Sequence, residues 1–470
     1  MAMDELIRLS AREAVAALKR GEVTPLELID AAAARIAAVD GAVNALPTRC
    51  YERARAHAAR LMAAAPEDRG PLGGLPLVVK DLVDVAGVRT TYGSPIYADH
   101  VPERSDILVE TLEARGGIVL AKSNTPEFGA GANTFNEVFG KTRNPWDTRL
   151  TCGGSSGGAA VALATGETWL ATGSDLGGSL RTPASFCSVV GLRPSPGRVA
   201  AGPDPLPFDD LAVEGPMGRT VGDAALMLDA MAGAHPADPR SLPAPARPFV
   251  AAVDSPEAPA RVGFSPDLGV TPVDPEVAAV CKRAARRFTE LGTAVEAAAP
   301  DFSGAEETFQ TLRAARFVAG KAPLLETHRA QLKPEVIWNI KKGLALTAAE
   351  TGAARRARGA LFHRMVTFFE DYDLLLCPTA IVPPFDVDQR YVEEAGGRRF
   401  DDYVGWLAIT FVVTLTSCPA LSLPCGFTAG GLPVGLQIVG PPRGEARVLA
   451  AAALLEQALG VAGRLPITPR

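Results

Sequence analysis

Hydrophobic positions recur along this chain with two periods, one typical of amphipathic helices and one of short buried strands. Thr24 has a hydroxyl group that can cap a helix, and apolar residues follow it at helical spacing: Leu26, Ile29, Ala33 and Ile36. Ser10 followed by Glu13 is a second helix start of the same kind. We therefore predict N-terminal helices over residues 1–70 and interpret them as a scaffold or a surface for self-association.

Short apolar runs predict strands further along. One run ends at Lys80 and another at Lys122, and a helix is predicted between them from Asp106 to Arg115. A strand, a helix and a strand in this order indicate an α/β sheet with covering helices. Towards the C-terminus, the pattern predicts two more strands and a final helix, at Asp373–Cys377, Leu432–Val439 and Gly444–Leu459.

The middle of the chain has a helical pattern. A stripe that includes Cys281 predicts a helix opening at Asp274, and this cysteine is interpreted as a core residue rather than a reactive one. Residues 302–370 are also predicted to be helical, and we expect them to shape the mouth of a binding site. The run from Ala234 to Pro248 is rich in proline and alanine, which predicts a surface linker within one fold.

Composition narrows the class of protein. The 470 residues are 47% hydrophobic and 21% charged, as in ordinary globular enzymes. The net charge of −6 is spread over mixed acidic and basic residues, which argues against a nucleic-acid partner. Seven cysteines without a C-x-x-C pair argue against a disulfide framework or a zinc site. With no secretion signal and no apolar run of membrane-spanning length, we expect a cytoplasmic protein that does not bind membranes.

Glycine and serine are concentrated between Thr151 and Pro183, in the clusters Gly153–Gly158 and Gly177–Ser179. Glycine at this density costs backbone entropy, so a chain keeps it where the backbone adopts positive φ or approaches another group closely. The small residues between the clusters predict a buried, tightly packed helix. This stretch is therefore interpreted as a functional site rather than a linker.

Two chemistries compete for these serines. Ser155 and Ser156 each match the G-x-S-x-G pattern of a nucleophile elbow, which requires a strand before the serine and a histidine elsewhere. The preceding residues 144–148 are loop-like, and the five histidines lie in no suggestive context: His57, His100, His235, His328 and His363. The alternative uses a lysine as base and two serines, and Lys80 at its strand end is a candidate, because burial would lower its pKa towards neutrality. The pattern favours the mechanism with a lysine base over the one with a histidine.

Several long motifs resemble the amidase signature family. They cover residues 72–233 densely and the C-terminal part more loosely: GGLPLVVKD (73–81), AKSNTPEF (121–128), FGKTRNPWD (139–147), CGGSSGGAAVALATG (152–166), GSDLGGSLRTPASFCSVVGLRPSPGRV (173–199), GPMGRTVGDAALMLDAMAG (215–233), CPTA (377–380) and CPALSLPCG with GLPVGLQIVG (418–440). The resemblance implies an α/β/α fold with a mixed central sheet covered by helices on both faces.

The resemblance also implies the roles of individual residues. Ser179 matches the acyl nucleophile, Lys80 the general base, and Ser155 the bridging serine, which in the family lies on a cis peptide bond. The backbone amides that match the family's oxyanion hole are those of Leu176, Gly177, Gly178 and Ser179. Supporting positions are Ser156, Asp175 and Arg181, of which the last two are equally well interpreted as a structural ion pair.

The implied activity is hydrolysis of a small carboxamide, without metal or cofactor. The alternative is the glutaminase subunit of a tRNA-dependent amidotransferase, which works in a complex; an α/β-hydrolase esterase and an inactive scaffold rank lower. We predict a single domain over residues 1–470: helices (1–70), a signature core (71–233), a helical variable region (234–370) and C-terminal strands with a helix (371–470). For the oligomeric state, we consider a homodimer.

The chain departs from the family pattern in three places, and two of them, Leu176 and residues 411–416, concern the pocket wall. Leu176 stands where threonine or isoleucine is common, Ser188 where glycine is common, and residues 411–416 replace a stretch that usually contains asparagine and glycine. Leu176 would act through its backbone, so catalysis should survive this change. The apolar run Trp406–Leu415 favours a substrate with a hydrophobic acyl or aryl group.

Overall fold

In the computed structural model, which describes residues 2–470, the apolar stripes become helices and the apolar runs become strands. The α-helices are α1 Met3–Arg8, α2 Ala11–Lys19, α3 Pro25–Val43, α4 Tyr51–Leu61, α5 Ile107–Ala114, α6 Gly157–Thr165, α7 Arg181–Cys187, α8 Val221–Met231, α9 Phe249–Asp254, α10 Pro275–Arg286, α11 Ala305–Thr327, α12 Pro334–Leu344, α13 Ala348–Asp371, α14 Ala408–Leu415 and α15 Glu445–Leu459.

The strands are short, and several consist of two residues. They are β1 Thr48–Arg49, β2 Pro76–Lys80, β3 Ile118–Ser123, β4 Phe135–Asn136, β5 Gly140–Lys141, β6 Leu170–Asp175, β7 Val190–Arg193, β8 Val213–Gly218, β9 Arg261–Phe264, β10 Ala294–Ala297, β11 Leu374–Pro378, β12 Glu394–Ala395, β13 Arg398–Arg399, β14 Ala420–Phe427 and β15 Pro433–Val439.

The predicted N-terminal helix starts are confirmed. The Ser10 hydroxyl accepts a hydrogen bond from the Glu13 amide, and the Glu13 carboxylate accepts one from the Ser10 amide at 2.8 Å. Thr24 and Glu27 cap α3 in the same reciprocal way. Such a capping box satisfies amide groups that the first helical turn leaves without partners.

Eleven strands form one mixed sheet in the order β1-β3-β2-β6-β8-β7-β14-β15-β11-β9-β10. Strands β3, β2 and β6 run parallel to one another, as do β11, β9 and β10, while β6, β8, β7, β14, β15 and β11 pair antiparallel in turn. Helices flank this sheet, which confirms the predicted α/β class with a mixed central sheet. Because β2 and β6 are parallel neighbours, their carboxyl ends meet at one edge.

Strands β6 and β8 were not predicted, because their sequences lack the usual signals. They read LATGSD and VEGPMG, in which Thr172 and Val213 are the only β-branched residues and the rest include several small residues and a proline. The structure explains one of these residues: a side chain on Gly215 would collide with the backbone carbonyl of Leu192 on β7. Close packing, rather than β propensity, selects the residues of these strands.

The predicted helical region 302–370 contains α11, α12 and α13, and α12 and α13 both pack against α11. Their apolar faces join α14 in a second hydrophobic cluster, separate from the one between the sheet and the N-terminal helices. Phe309 of α11 stacks on Phe411 of α14, with ring centroids 4.4 Å apart. Over residues 2–470, the helices are all too short or too polar to cross a lipid bilayer.

Candidate active site

Lys80 lies at the carboxyl end of β2, and its side chain is fully buried. Its Nζ donates hydrogen bonds to three hydroxyl oxygens: Ser155 Oγ at 2.7 Å, Ser156 Oγ at 2.9 Å and Ser174 Oγ at 2.9 Å. An ammonium group can donate three hydrogen bonds, whereas a neutral amine donates two and can accept a proton from the third hydroxyl group. The environment is therefore compatible with either protonation state.

Burial determines which state Lys80 prefers. Loss of hydration lowers the pKa of this lysine to about 7, although the carboxylates of Glu214 and Asp175 act in the opposite direction. An amine with such a pKa is largely neutral in mildly alkaline solution, and only the neutral form can accept a proton.

Ser155 and Ser156 immediately precede α6. The Gly154–Ser155 peptide bond is cis, as the family resemblance implies. The Ser156 amide donates to the Ser179 carbonyl at 3.1 Å, so a backbone hydrogen bond joins the two glycine-serine clusters. The tertiary structure thus brings Ser155, Ser156 and Lys80 into contact and holds Ser179 against them through its backbone.

Ser179 lies on the loop between β6 and α7 and lines the same cavity as Ser155. Its Oγ makes no hydrogen bond to any residue in the described range 2–470, and in particular none to Ser155 Oγ. The structure therefore places the two hydroxyl groups at one cavity without a direct hydrogen bond between them.

The four backbone amides of residues 176–179 differ in whether they have a hydrogen-bond acceptor within the described range. The Gly178 amide donates to Asp175 Oδ1 at 3.0 Å, so it is engaged within the protein. Among residues 2–470, no acceptor is found for the amides of Leu176, Gly177 and Ser179. Three of the four amides predicted for an oxyanion hole are consequently free to bind a ligand oxygen.

Asp175 and Arg181 form a fully buried ion pair with an Nη2–Oδ1 distance of 2.8 Å. Arg193 lies 3.4 Å from the same carboxylate, and these two guanidinium groups hold the pKa of Asp175 below its usual value although burial alone would raise it. Arg181 also donates to Gln437 on β15 at 2.6 Å. Neither Asp175 nor Arg181 lines the cavity, which favours the structural interpretation of this pair.

The burial of residues 151–190 shows which of their side chains face the cavity. From residue 151 to residue 190, every residue is buried except Ser174, Leu176 and Ser179. All three line a cavity of about 350 Å³. Leu176 therefore forms part of the cavity wall, as expected from its departure from the family pattern.

The rest of the cavity wall comes from distant parts of the chain. Ten leucine, valine and phenylalanine residues line it: Leu82, Val83, Leu108, Phe128, Leu176, Leu206, Phe309, Phe317, Val404 and Leu407. Of the apolar run Trp406–Leu415, only Leu407 lines this cavity, because α14 packs its side chains into the second hydrophobic cluster. A preference for substrates with a hydrophobic group would therefore depend on the other apolar residues of the cavity wall more than on the run Trp406–Leu415.

Two residues of the site were not found from the sequence. Ser174 contacts Lys80, and Glu214 on β8 lies opposite Ser174 in the sheet register. Both belong to strands that the sequence pattern did not reveal, although Ser174 directly precedes Asp175 in the GSDLGGS motif. Burial raises the pKa of the Glu214 carboxyl to about 8, opposed by the nearby Lys80.

Other candidate residues do not reach the cavity. None of the five histidines lines it, and within residues 2–470 no cluster of histidine, cysteine, aspartate and glutamate is suited to hold a metal ion. Asn124 is buried and donates to Thr142 Oγ1 at 2.9 Å, which is a structural role.

Comparison with known proteins agrees with this fold. Over 455 residues, the chain is 37% identical to an acylamidase of Rhodococcus erythropolis, covering 95% of each chain. It is also 37% identical over 488 residues to a subunit of the glutamyl-tRNA(Gln) amidotransferase of Moorella thermoacetica, covering 98% of this chain and 99% of the relative. A bacterial aryl acylamidase structure superposes with a TM-score of 0.89 at 29% identity, covering 98% and 99% of the two chains.

These relatives place the protein among the amidohydrolases. Residues 27–449 match the family model named Amidase, and the chain belongs to the amidase signature family.

Proposed function

We propose that this protein hydrolyses a carboxamide to a carboxylate and ammonia or an amine through a seryl acyl-enzyme. Ser179 is the nucleophile, Ser155 relays the proton, and Lys80 is the general base and later the general acid. The observation that carries this proposal is the buried Lys80 amine, which lies 2.7 Å from Ser155 Oγ at the cavity that also contains Ser179.

In the acylation step, the Ser179 oxygen bonds to the amide carbon while its proton passes to Ser155. Ser155 in turn releases its own proton to neutral Lys80. Lysine in its ammonium form then returns a proton to the leaving nitrogen, and the C–N bond breaks. Water repeats the sequence on the acyl-enzyme, which yields the carboxylate and regenerates Ser179.

Negative charge develops on the carbonyl oxygen in the tetrahedral intermediate. The amides of Leu176, Gly177 and Ser179 are suited to bind it, because they have no acceptor among residues 2–470. The Gly178 amide would instead keep Asp175 in position beside the loop. Ser156 and Ser174 would orient Lys80 by accepting hydrogen bonds from its Nζ.

A second candidate function is the glutaminase reaction of a tRNA-dependent amidotransferase, favoured by the 37% identity to the Moorella thermoacetica protein. Glutamine hydrolysis by the isolated chain, together with copurification of other proteins of such a complex, would support it. Hydrolysis of simple amides or anilides by the isolated chain, without a preference for glutamine, would support the acylamidase function.

The test is a pair of substitutions assayed on a panel of aliphatic, aryl and amino-acid amides. Ser179→Ala and Lys80→Met should each lower kcat by about 10⁴-fold or more, because nucleophile and base act as a unit. Circular dichroism should show an intact fold. Trapping of a covalent acyl group on wild-type enzyme but not on Ser179→Ala would identify the nucleophile.

Retained turnover in Ser179→Ala would overturn the assignment of the nucleophile. The matched control is replacement of each histidine in turn, which should leave the chemical step intact. Loss of that step in any histidine variant would instead support a serine-histidine mechanism.

A further inference from the structure

Helix α11 presents one face to the catalytic cavity. Five of its lining residues follow one another at helical spacing: Phe309, Arg313, Arg316, Phe317 and Lys321. Three of these five are cations. Their counter-charges decide whether this face is neutral or available to an anion.

Arg316 is neutralised within the protein. It forms ion pairs with Asp204, at an Nη2–Oδ2 distance of 3.3 Å, and with Asp209. Both carboxylates belong to the loop between β7 and β8. We therefore expect this arginine to attract a ligand anion only weakly.

Arg313 has no such partner. Its guanidinium group donates to two neutral oxygens, Asn339 Oδ1 and the Tyr403 hydroxyl, and lies 4.7 Å from the ring centroid of Phe317. Among residues 2–470, no carboxylate lies within 4 Å of it. Only 7% of the residue is exposed, although it lines the cavity.

A buried charge without a counter-ion is costly, so it is retained where it has a use. An arginine carries five N–H groups, and the two neutral contacts of Arg313 leave further donors for a ligand. Roughly two turns further along the same face, Lys321 is also without an ion pair within 4 Å in the described range; its Nζ lies 4.4 Å from the Phe128 ring centroid.

Three carboxyl groups line the same cavity, Asp106, Asp204 and Glu214, and they could in principle favour a cationic ligand. Asp204 is paired with Arg316. Glu214 lies opposite Ser174 in the sheet register, and Asp106 accepts a hydrogen bond from the Asp84 amide at 3.0 Å. Burial raises the pKa of these last two carboxyls, to about 8 for Glu214 and to about 7 for Asp106. They are therefore only partly charged near neutral pH, which weakens their attraction for a cationic ligand.

We propose that Arg313, assisted by Lys321, binds a carboxylate of the substrate. This inference rests on the proposed amidase function and specifies the substrate class: a carboxamide that carries an anionic group remote from the scissile bond, such as the monoamide of a dicarboxylic acid. Arg313 is then a specificity-determining residue. The apolar residues Phe309 and Phe317 on the same face are positioned to contact the chain between the amide and the carboxylate.

The test compares three amides of similar length: adipamate, which ends in a carboxylate, hexanamide, which ends in a methyl group, and 6-aminohexanamide, which ends in an ammonium group. Wild-type enzyme should prefer adipamate over hexanamide at least about tenfold in kcat/KM, mainly through KM. Arg313→Met should lower that ratio about tenfold, and Arg313→Lys should restore part of it.

Arg355→Met is the control, because Arg355 is exposed on α13 and does not line the cavity. Arg316 is not used, since its removal would leave the Asp204 carboxylate unpaired at the cavity. In Arg355→Met, the ratio of adipamate to hexanamide should stay close to that of the wild type. Melting temperatures of all variants report whether each one folds. An equal effect of Arg313→Met and Arg355→Met on the ratio would overturn the proposal.

Calorimetric binding of adipamate to Ser179→Ala enzyme makes the test independent of turnover. Adding Arg313→Met should weaken this binding about tenfold. Hydrolysis of hexanamide or 6-aminohexanamide at the rate of adipamate would overturn the carboxylate site while leaving the amidase function intact. Absence of hydrolysis for the whole amide panel would overturn the function, and adipamate binding that is unaffected by Arg313→Met would overturn the site.

Discussion

The cavity lies between two regions that are built in different ways. On one side is the glycine-rich core, residues 151–193, in which nearly every side chain is buried and glycines allow direct contact between backbones. On the other side is the helical wall, α11–α13, whose helices expose much of their surface: α13 buries only Ala354, Leu361, Met365 and Phe368 of its 24 residues.

Under the proposed mechanism, the difference separates the part of the molecule that carries the reaction from the part that selects the substrate. In the glycine-rich core, each residue is constrained by neighbours on all sides, so the geometry around Lys80 and Ser179 tolerates little change. In the helical wall, Arg313 and Lys321 face the cavity from α11, which packs against other helices rather than against Lys80. Substitutions at these two positions should therefore alter substrate preference without disturbing the proposed proton path.

The largest expected contrast concerns ion pairs in the two regions. Asp175→Asn would leave Arg181 and Arg193 buried without a carboxylate, and removing one partner of a buried pair costs about 3–5 kcal/mol. Asp301→Asn, which breaks the solvated pair with Arg364 beside the helical wall, should leave stability nearly unchanged. Urea denaturation measures both, and similar effects would remove the contrast.

A smaller loss is expected from added volume in the glycine-rich core. A Cβ on Gly158 would lie 2.6 Å from the Ala45 carbonyl oxygen and would also meet the Asn124 backbone. Because backbone atoms cannot rotate away as side chains do, Gly158→Ala should destabilise the protein by about 3 kcal/mol. Thermal unfolding tests this, and an unchanged melting temperature would show that the core can relax.

The pH dependence of activity tests the electrostatics of the core. The proposed reaction needs neutral Lys80, whose pKa burial lowers to about 7, so activity should be present above this value and be lost as the pH falls below it. We expect kcat/KM for a neutral amide to decrease about tenfold per pH unit on the acid side. A profile that stays flat down to pH 5 would contradict the role of this lysine.

The smallest expected effect is a gain in the helical wall. Gly359 lies inside α13, and a Cβ there would meet no atom within 4 Å. Gly359→Ala should therefore stabilise the protein by about 0.5–1 kcal/mol through the higher helix propensity of alanine. A measured loss of stability would show that the helical wall is packed as tightly as the core.

Much of the fold and of the candidate site could be predicted from local signals. The capping boxes at Ser10 and Thr24, the strand ending in Lys80 and the two glycine-serine clusters are each contained in a few consecutive residues. The prediction missed Ser174 and Glu214, because β6 and β8 each contain a single β-branched residue and are rich in small residues that allow close packing. It also assigned the apolar run at Trp406–Leu415 to substrate, whereas most of that run packs into the core.

By itself, the sequence determined the family motifs, the α/β class and the residues able to carry the chemistry, because local propensity and spacing encode them. Only the tertiary structure decided that three hydroxyl groups surround Lys80, that Gly178 binds Asp175 rather than facing the cavity as a free amide, and that Arg313 reaches that cavity unpaired. These properties depend on which distant segments come together. Burial and the absence of a counter-charge exist only once those segments are packed.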